Sequence, residues 1–251
     1  SFDSDGFTMG TESALNKSSN TMVAWCWKES AAAGLDIIEF TGNATARNIS
    51  HNLSAIPEVI FIKNYSSSSS YWTSYHKPLG NTAELYLNST DAAGVSVASW
   101  NSTTPDSSNF RLGANTGVNG DGNTIIAYVM APIQGFSRFS SYIGNGSTNG
   151  PFVHTGFRPA MVICKRYDST GGWYTYDIKR PGRNNENGYL QADTTSAEDT
   201  NSGNFGFDFL ANGFKIRGSY ATLNASGGTF VYMAWADQPF VNSEGEPANA
   251  R

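Results

Sequence analysis

Ala55-Ile-Pro57-Glu-Val-Ile-Phe-Ile-Lys63 and Phe157-Arg-Pro159-Ala-Met-Val-Ile-Cys-Lys165 share one pattern: a proline, a short run dominated by apolar side chains, and a closing lysine. Each run is too short for an ordinary helix and is bounded by proline, so each is expected to be a central β-strand.

The surroundings of the two runs repeat as well. Phe40-Thr-Gly-Asn43 recurs as Tyr142-Ile-Gly-Asn145, Ile49-Ser-His51 as Phe152-Val-His154, and Tyr71-Trp-Thr-Ser-Tyr75 as Gly172-Trp-Tyr-Thr-Tyr176. Phe40 and Tyr142, Pro57 and Pro159, and Lys63 and Lys165 stand 102 positions apart, His51 and His154 103, and Trp72 and Trp173 101. Anchors that hold one spacing this closely mark a duplicated structural unit. The aromatic stretches alternate large rings with smaller polar residues, as half-buried strands do, and residues 66–70 or 168–172 supply a turn before them. A hairpin is expected at the same place in both copies.

The end of the unit occurs three times. Phe7-Thr-Met-Gly10 leads to Thr21-Met-Val-Ala-Trp25-Cys-Trp27, Phe110-Arg-Leu-Gly113 to Thr124-Ile-Ile-Ala-Tyr128-Val-Met130, and Phe214-Lys-Ile-Arg-Gly218 to Thr229-Phe-Val-Tyr232-Met-Ala-Trp235. These three apolar runs are each expected to close a sheet. The division that follows is residues 1–34 as closing strands of an upstream unit or an N-terminal segment, 35–136 as a first β-sandwich repeat, and 137–251 as a second with a C-terminal tail. Because the chain opens at Ser1 without an initiator methionine, it is expected to be the ordered part of something longer.

Short strands at regular spacing with turn signals between them argue for an all-β fold of tandem antiparallel sandwiches; one larger sandwich built from both copies is the alternative. Helical spacing is absent apart from a turn expected near Thr195–Asp199. Composition agrees: of 251 residues only 15% are charged and 26 are glycine, so Ser, Thr, Asn and Gly must cover the surface. A net charge of −5 with 16 scattered Lys and Arg gives no footprint for nucleic acid. No apolar run approaches the ~18–20 residues that cross a bilayer as a helix, so membrane insertion is not expected.

Chemistry-bearing residues are sparse. His51 and His154 hold equivalent positions, which suits a turn hydrogen bond better than catalysis, and His76 reads as an exposed polar residue. Cys26 and Cys164 lie in apolar runs and read as small buried hydrophobes. Asp168, Asp177, Glu186, Asp193, Glu198 and Asp199 cluster in the second copy on turns, without the signature of a glycoside-cleaving pair. Asp3-Ser-Asp5-Gly6 and Asn119-Gly-Asp121-Gly-Asn123 alternate oxygen ligands as calcium loops do, but lack the bidentate acid at the proper offset, so no metal or other cofactor is expected. The remaining candidates are the hairpin aromatics Tyr71, Trp72, Tyr75, Trp173, Tyr174 and Tyr176. Exposed, they would stack on sugar faces; otherwise they pack a core or a subunit contact.

Gly6-Phe-Thr-Met-Gly10 with Val23-Ala-Trp-Cys-Trp-Lys28, Tyr142–Ala160, Phe209–Gly218, and Leu223–Ala236 closed by Pro239-Phe240 and Asn249-Ala-Arg251 carry a further likeness. Across essentially the whole chain they resemble the C-terminal region of virion proteins of marine tailed bacteriophages. The resemblance implies a non-enzymatic structural protein on the outside of the virion, in a tail fibre or tail tip, with Ala-Arg as the natural C-terminus. Its implied partners are other virion proteins, further copies of itself in a homo-oligomer, and a host-surface glycan or protein receptor. A capsid decoration or head-fibre protein of purely architectural role is the first alternative, and a surface polysaccharide depolymerase the second.

Overall fold

The computed structural model describes residues 1–251 apart from 4, 5, 14, 181–183, 187, 201, 202, 204, 239, 242–246 and 249–251, and describes the backbone alone at 2, 185, 186, 240, 241, 247 and 248. At the start β1 (Phe2–Asp3) pairs with β2 (Gly6–Phe7). The first unit comprises β3 (Leu35–Thr41), β4 (Arg47–Ser50), β5 (Val59–Asn64), β6 (Trp72–His76), β7 (Ala83–Tyr86), β8 (Gly94–Val95), β9 (Asn109–Leu112) and β10 (Thr124–Met130). The second comprises β11 (Ser137–Ile143), β12 (Phe152–His154), β13 (Pro159–Arg166), β14 (Trp173–Asp177), β15 (Asn184–Glu186), β16 (Leu190–Gln191), β17 (Phe207–Leu210), β18 (Gly213–Ile216) and β19 (Thr229–Ala236); β20 (Phe240–Val241) and β21 (Pro247–Ala248) form a last pair.

Strand order displays the duplication directly. The large sheet of the first unit runs β3-β10-β5-β6-β7-β8 and that of the second β11-β19-β13-β14-β16, so the two Pro-led strands occupy the same place in their sheets. A second layer, β4-β9 in the first unit and β12-β18-β17-β15 in the second, covers one face of each large sheet. Among the described residues no sheet draws strands from both copies, and all pairing is antiparallel: the fold is all-β, two sandwiches in tandem.

Three expectations are corrected. β10 and β19 do not close their sheets; each lies between two neighbours, because a strand apolar on both faces gains most when both of its edges are also paired. Residues 21–27 lie outside any sheet, and 195–199 form no helical turn. Among the described residues helix occurs instead as three single α-helical turns, α1 (Val97–Trp100), α2 (Thr116–Asn119) and α3 (Ala221–Asn224), and a 3-10 turn at Lys77–Leu79, all too short for a helical period to register in the sequence.

α2 and α3 are equivalent, and each ends in a fully buried asparagine. Asn119 donates through Nδ2 to the carbonyls of Thr45 (2.7 Å) and Gly113 (2.8 Å) and accepts at Oδ1 from the Asn43 amide (3.1 Å). Asn224 donates to Ser147 (2.8 Å) and Gly218 (2.9 Å) and accepts from the Asn145 amide (2.8 Å). Each thus clamps the Gly-Asn loop that leaves the first strand of its unit. That loop needs glycine: a Cβ at Gly42 would lie 2.0 Å from the Gly120 carbonyl oxygen, and one at Gly144 2.3 Å from that of Ala225.

Period-two alternation then divides each central strand between two cores. Ile60 and Ile62 of β5 join Trp100, Phe110, Leu112 and Ile125 inside the first sandwich, while Val162 and Cys164 of β13 join Tyr176, Phe207, Phe214 and Phe230 inside the second. The opposite faces meet. Val59 and Phe61 of β5, Met161 of β13, and Val231, Met233 and Trp235 of β19 form a third apolar cluster in which the two large sheets cover each other. Both faces of each large sheet are therefore buried, which is why the runs from Pro57 and Pro159 are continuously apolar. The Trp173 indole N–H, donating to the Tyr86 carbonyl at 2.8 Å, ties the second unit to the first.

Candidate functional site

The hairpin aromatics lie on β6 and β14, and the pairing of those strands with β5 and β13 decides their fate. Tyr75, Trp173, Tyr174 and Tyr176 are buried, so the expectation of an exposed aromatic surface is corrected there. Tyr75 packs edge-on against Trp100, Tyr176 stacks on Phe207 at 4.5 Å, and the Tyr174 hydroxyl meets that of Thr222 at 2.7 Å. Trp72 is partly buried beside Tyr128. Tyr71 is exposed, stacked on Tyr86 at 4.3 Å. Strands covered by a layer on both faces have no solvent side on which to present rings, so the six do not come together as a site.

The histidines part company. His51 makes the expected turn contacts: its Nδ1 accepts from the Leu53 amide at 3.4 Å, which leaves Nε2 to donate to the Asp106 carbonyl at 3.1 Å. His154 is exposed, and in its copy the Thr155 hydroxyl serves the turn by accepting from the Phe157 amide. His76, read as exposed, is buried between Phe61 and Trp173, and desolvation lowers its pKa to about 3. Its place on the face of β6 that meets the second unit is a tertiary fact that local sequence does not carry.

Lys165 carries the other large shift. Burial lowers it to about 8, against the opposing pull of Asp193 and Asp91. A desolvated lysine is what amine nucleophiles use, but here Nζ is held by the carbonyls of Gly171 (2.5 Å) and Thr90 (3.1 Å), in a side chain without solvent exposure. Lys63 reaches the Ser70 carbonyl in the equivalent way, so both lysines brace hairpin turns. Cys164 is buried, its thiol pushed up to about 12 by desolvation, whereas Cys26 is exposed, contrary to its apolar setting in the sequence.

The acidic residues are similarly engaged. Asp168 pairs with Arg166 at 2.7 Å, Asp177 faces Arg180 at 3.0 Å as an ion pair rather than an aligned hydrogen bond, and Glu198 pairs with the same Arg180. Asp193 accepts from the Trp173 amide at 2.6 Å, and Asp199 from the Tyr189 hydroxyl at 3.0 Å. Of the suggested calcium loops, Asn119 is spent on its loop clamp and Asp3 accepts from Ser1 and Thr8. Asp5, Pro239, residues 249–251 and the Glu186 side chain lie outside the described residues. Among the described residues no group of three or more His, Cys, Asp or Glu is placed to hold a metal ion.

What tertiary structure adds is a groove of about 1060 Å³ at the junction of the units. Glu58 and Lys77 line it from the first unit, and Arg138, Ser140, Ser141 and His154 from the second. No one of these residues signals a site in the sequence; the groove exists because the linker at 132–135 turns the second sandwich back onto the first. Glu58 is the one carboxylate among its lining residues and is ion-paired to Lys77 at 2.6 Å, so the acid and base pair of a glycosidase is not assembled there. Guanidinium, imidazole and hydroxyl groups instead offer hydrogen bonds to a hydroxyl-rich or acidic ligand.

A duplicated antiparallel sandwich with a polar groove at its waist is the class that fold and site define. Residues 1–239 match the family described as "Domain of unknown function (DUF7483)", and the chain belongs to that family. No curated protein and no solved structure matches it.

Proposed function

We propose that this protein is a non-catalytic component of the exterior of a bacteriophage virion, a tail-fibre or tail-tip module whose inter-unit groove engages a host-surface glycan or protein. The observation that carries the reading is the division of labour among polar side chains. Lys165, Asp177 and Asp193 brace the fold, while the groove gathers Lys77, His154 and Arg138, the last also bonded to Tyr232, around a single paired carboxylate. The likeness of the terminal motifs to phage virion proteins supports the setting. A groove of this kind binds weakly by itself, and several copies displayed on one oligomer raise the avidity without any new contact.

Fluorescently labelled protein incubated with host cells and with receptor-deficient mutants tests this. Wild-type protein is expected to coat the host only, and Arg138→Glu to reduce coating by about tenfold or more, the cost of one charged hydrogen bond in binding, with the β-sheet circular dichroism spectrum retained. Equal coating by both proteins removes the groove from the reading. Release of reducing ends from host polysaccharide would replace it with a depolymerase, and antibody labelling of capsids alone with an architectural role.

A further inference from the structure

Between Gly10 and Asn20 the described residues repeat the loop hydrogen bonds that precede the closing strand in both complete units, although residues 21–27 themselves join no sheet. The Asn16 Nδ2 donates to the Gly10 carbonyl at 2.7 Å, the counterpart of Asn119 to Gly113 and Asn224 to Gly218. Leu15 and Asn16 donate their amides to Glu12 at 3.0 and 2.8 Å, as Val118 and Asn119 do to Asn115 at 3.2 and 2.8 Å and Leu223 and Asn224 to Tyr220 at 3.0 and 2.8 Å. Asn20 then bonds back to Lys17 as Asn123 does to Gly120.

Part of this segment lies against the two units through Trp25 and Trp27. Trp25 enters the apolar cluster between the large sheets, and Trp27 packs on Trp235 at 5.4 Å. These are the positions of Tyr128 and Met130 in the first unit and of Met233 and Trp235 in the second; Trp25 joins those four in the cluster, while Trp27 touches it through Trp235 and stays 43% exposed.

The other face is open. Phe7, Met9, Leu15 and Met22 are 43%, 43%, 60% and 48% exposed, whereas their counterparts Phe110, Leu112, Val118 and Ile125, and Phe214, Ile216, Leu223 and Phe230, are all at 0–1%. In the complete units these positions are covered by the opening half, residues 35–100 of the first copy among them, whose Gly-Asn loop also fills the asparagine clamp. The Gly42-Asn43 and Gly144-Asn145 loops are both taken, by Asn119 and Asn224.

We infer that residues 7–27 are the closing half of a third unit, and that their open face is the docking surface for an opening half of the same repeat: strands like β3 to β6 with a Gly-Asn loop for Asn16. The occupant is an opening half of this repeat, the polypeptide that covers the same positions in both complete units. A second copy of the 251-residue chain is a poor donor, since its opening halves are already closed by β10 and β19.

Cys26 reports on this face, being the exposed counterpart of the fully buried Val129 and Ala234. In an extended chain, a duplicate of residues 35–109 is joined directly ahead of Phe7. Maleimide labelling of Cys26 is expected to slow by about 100-fold or more, towards the rate of buried Cys164, and Asn16→Asp is expected to reverse part of that protection. A second measurement uses the 251-residue chain alone. There Met22→Asp is expected to leave the melting temperature within about 1 °C of wild type, as a surface change does, while Ile125→Asp lowers it sharply. Unchanged labelling in the extended chain overturns the inference. So does destabilisation by Met22→Asp in the 251-residue chain, or its conversion of a dimer to a monomer, since either means that the face is already covered.

Discussion

His76 sits wholly buried on β6 against Trp173 of the other unit, where burial disfavours its charged form. Its folded pKa, about 3, lies below the unfolded value of 6.5. Between those limits the unfolded chain binds a proton that the folded chain refuses, so the contribution of His76 to stability is constant above pH ~6.5 and falls as pH drops towards 3. The slope approaches about 1.4 kcal/mol per pH unit. Denaturant midpoints at pH 7 and 5 should therefore differ clearly in wild type and much less in His76→Phe. That window lies above the titration of the carboxylates Asp106 and Asp168, which are held below their usual range by backbone amides and by Arg166 respectively.

At the scale of elements, α2 and α3 matter for the asparagines that end them rather than as helices. Asn224→Ala would strand the buried Gly218 carbonyl and remove the partner of the Ser147 carbonyl and the Asn145 amide, which belong to exposed residues. A buried polar group left unpaired costs about 1–3 kcal/mol, and some of the three will recover water, so a loss of about 3 kcal/mol by urea denaturation is expected. Asn16→Ala, at an exposed copy of the same position, should change stability by less than about 0.5 kcal/mol. The repeated Gly-Asn was visible in the sequence, but its partner lies more than seventy residues away and only the fold brings the two together.

Over the whole molecule, the shared cluster makes the sandwiches interdependent. Trp173 contributes a fully buried ring and the indole bond to Tyr86, and Phe61 meets that ring edge-on at 6.3 Å. Calorimetry should show one cooperative transition for wild type. Trp173→Ala should remove about 3–5 kcal/mol and separate the unfolding of the two units, because the mutated side chain belongs mainly to their common surface. A single transition with an unchanged midpoint would mean that the cluster holds nothing together.

Composition and pattern alone determined that the chain is all-β, that it is duplicated, and which runs are central strands, because pleat alternation and repeat spacing are properties of the chain itself. Tertiary structure alone decided which way the rings face. His76 reads locally as an exposed polar residue and Trp173 as part of a half-buried strand; both are buried because a second sheet lies against the side that pattern assigns to solvent. The same docking made the groove, from residues such as Glu58 and Arg138 that have no common sequence neighbourhood. It also left Met22 and Cys26 uncovered although their sequence context is that of a core, since burial depends on the opposing half-unit and not on the residues to be buried.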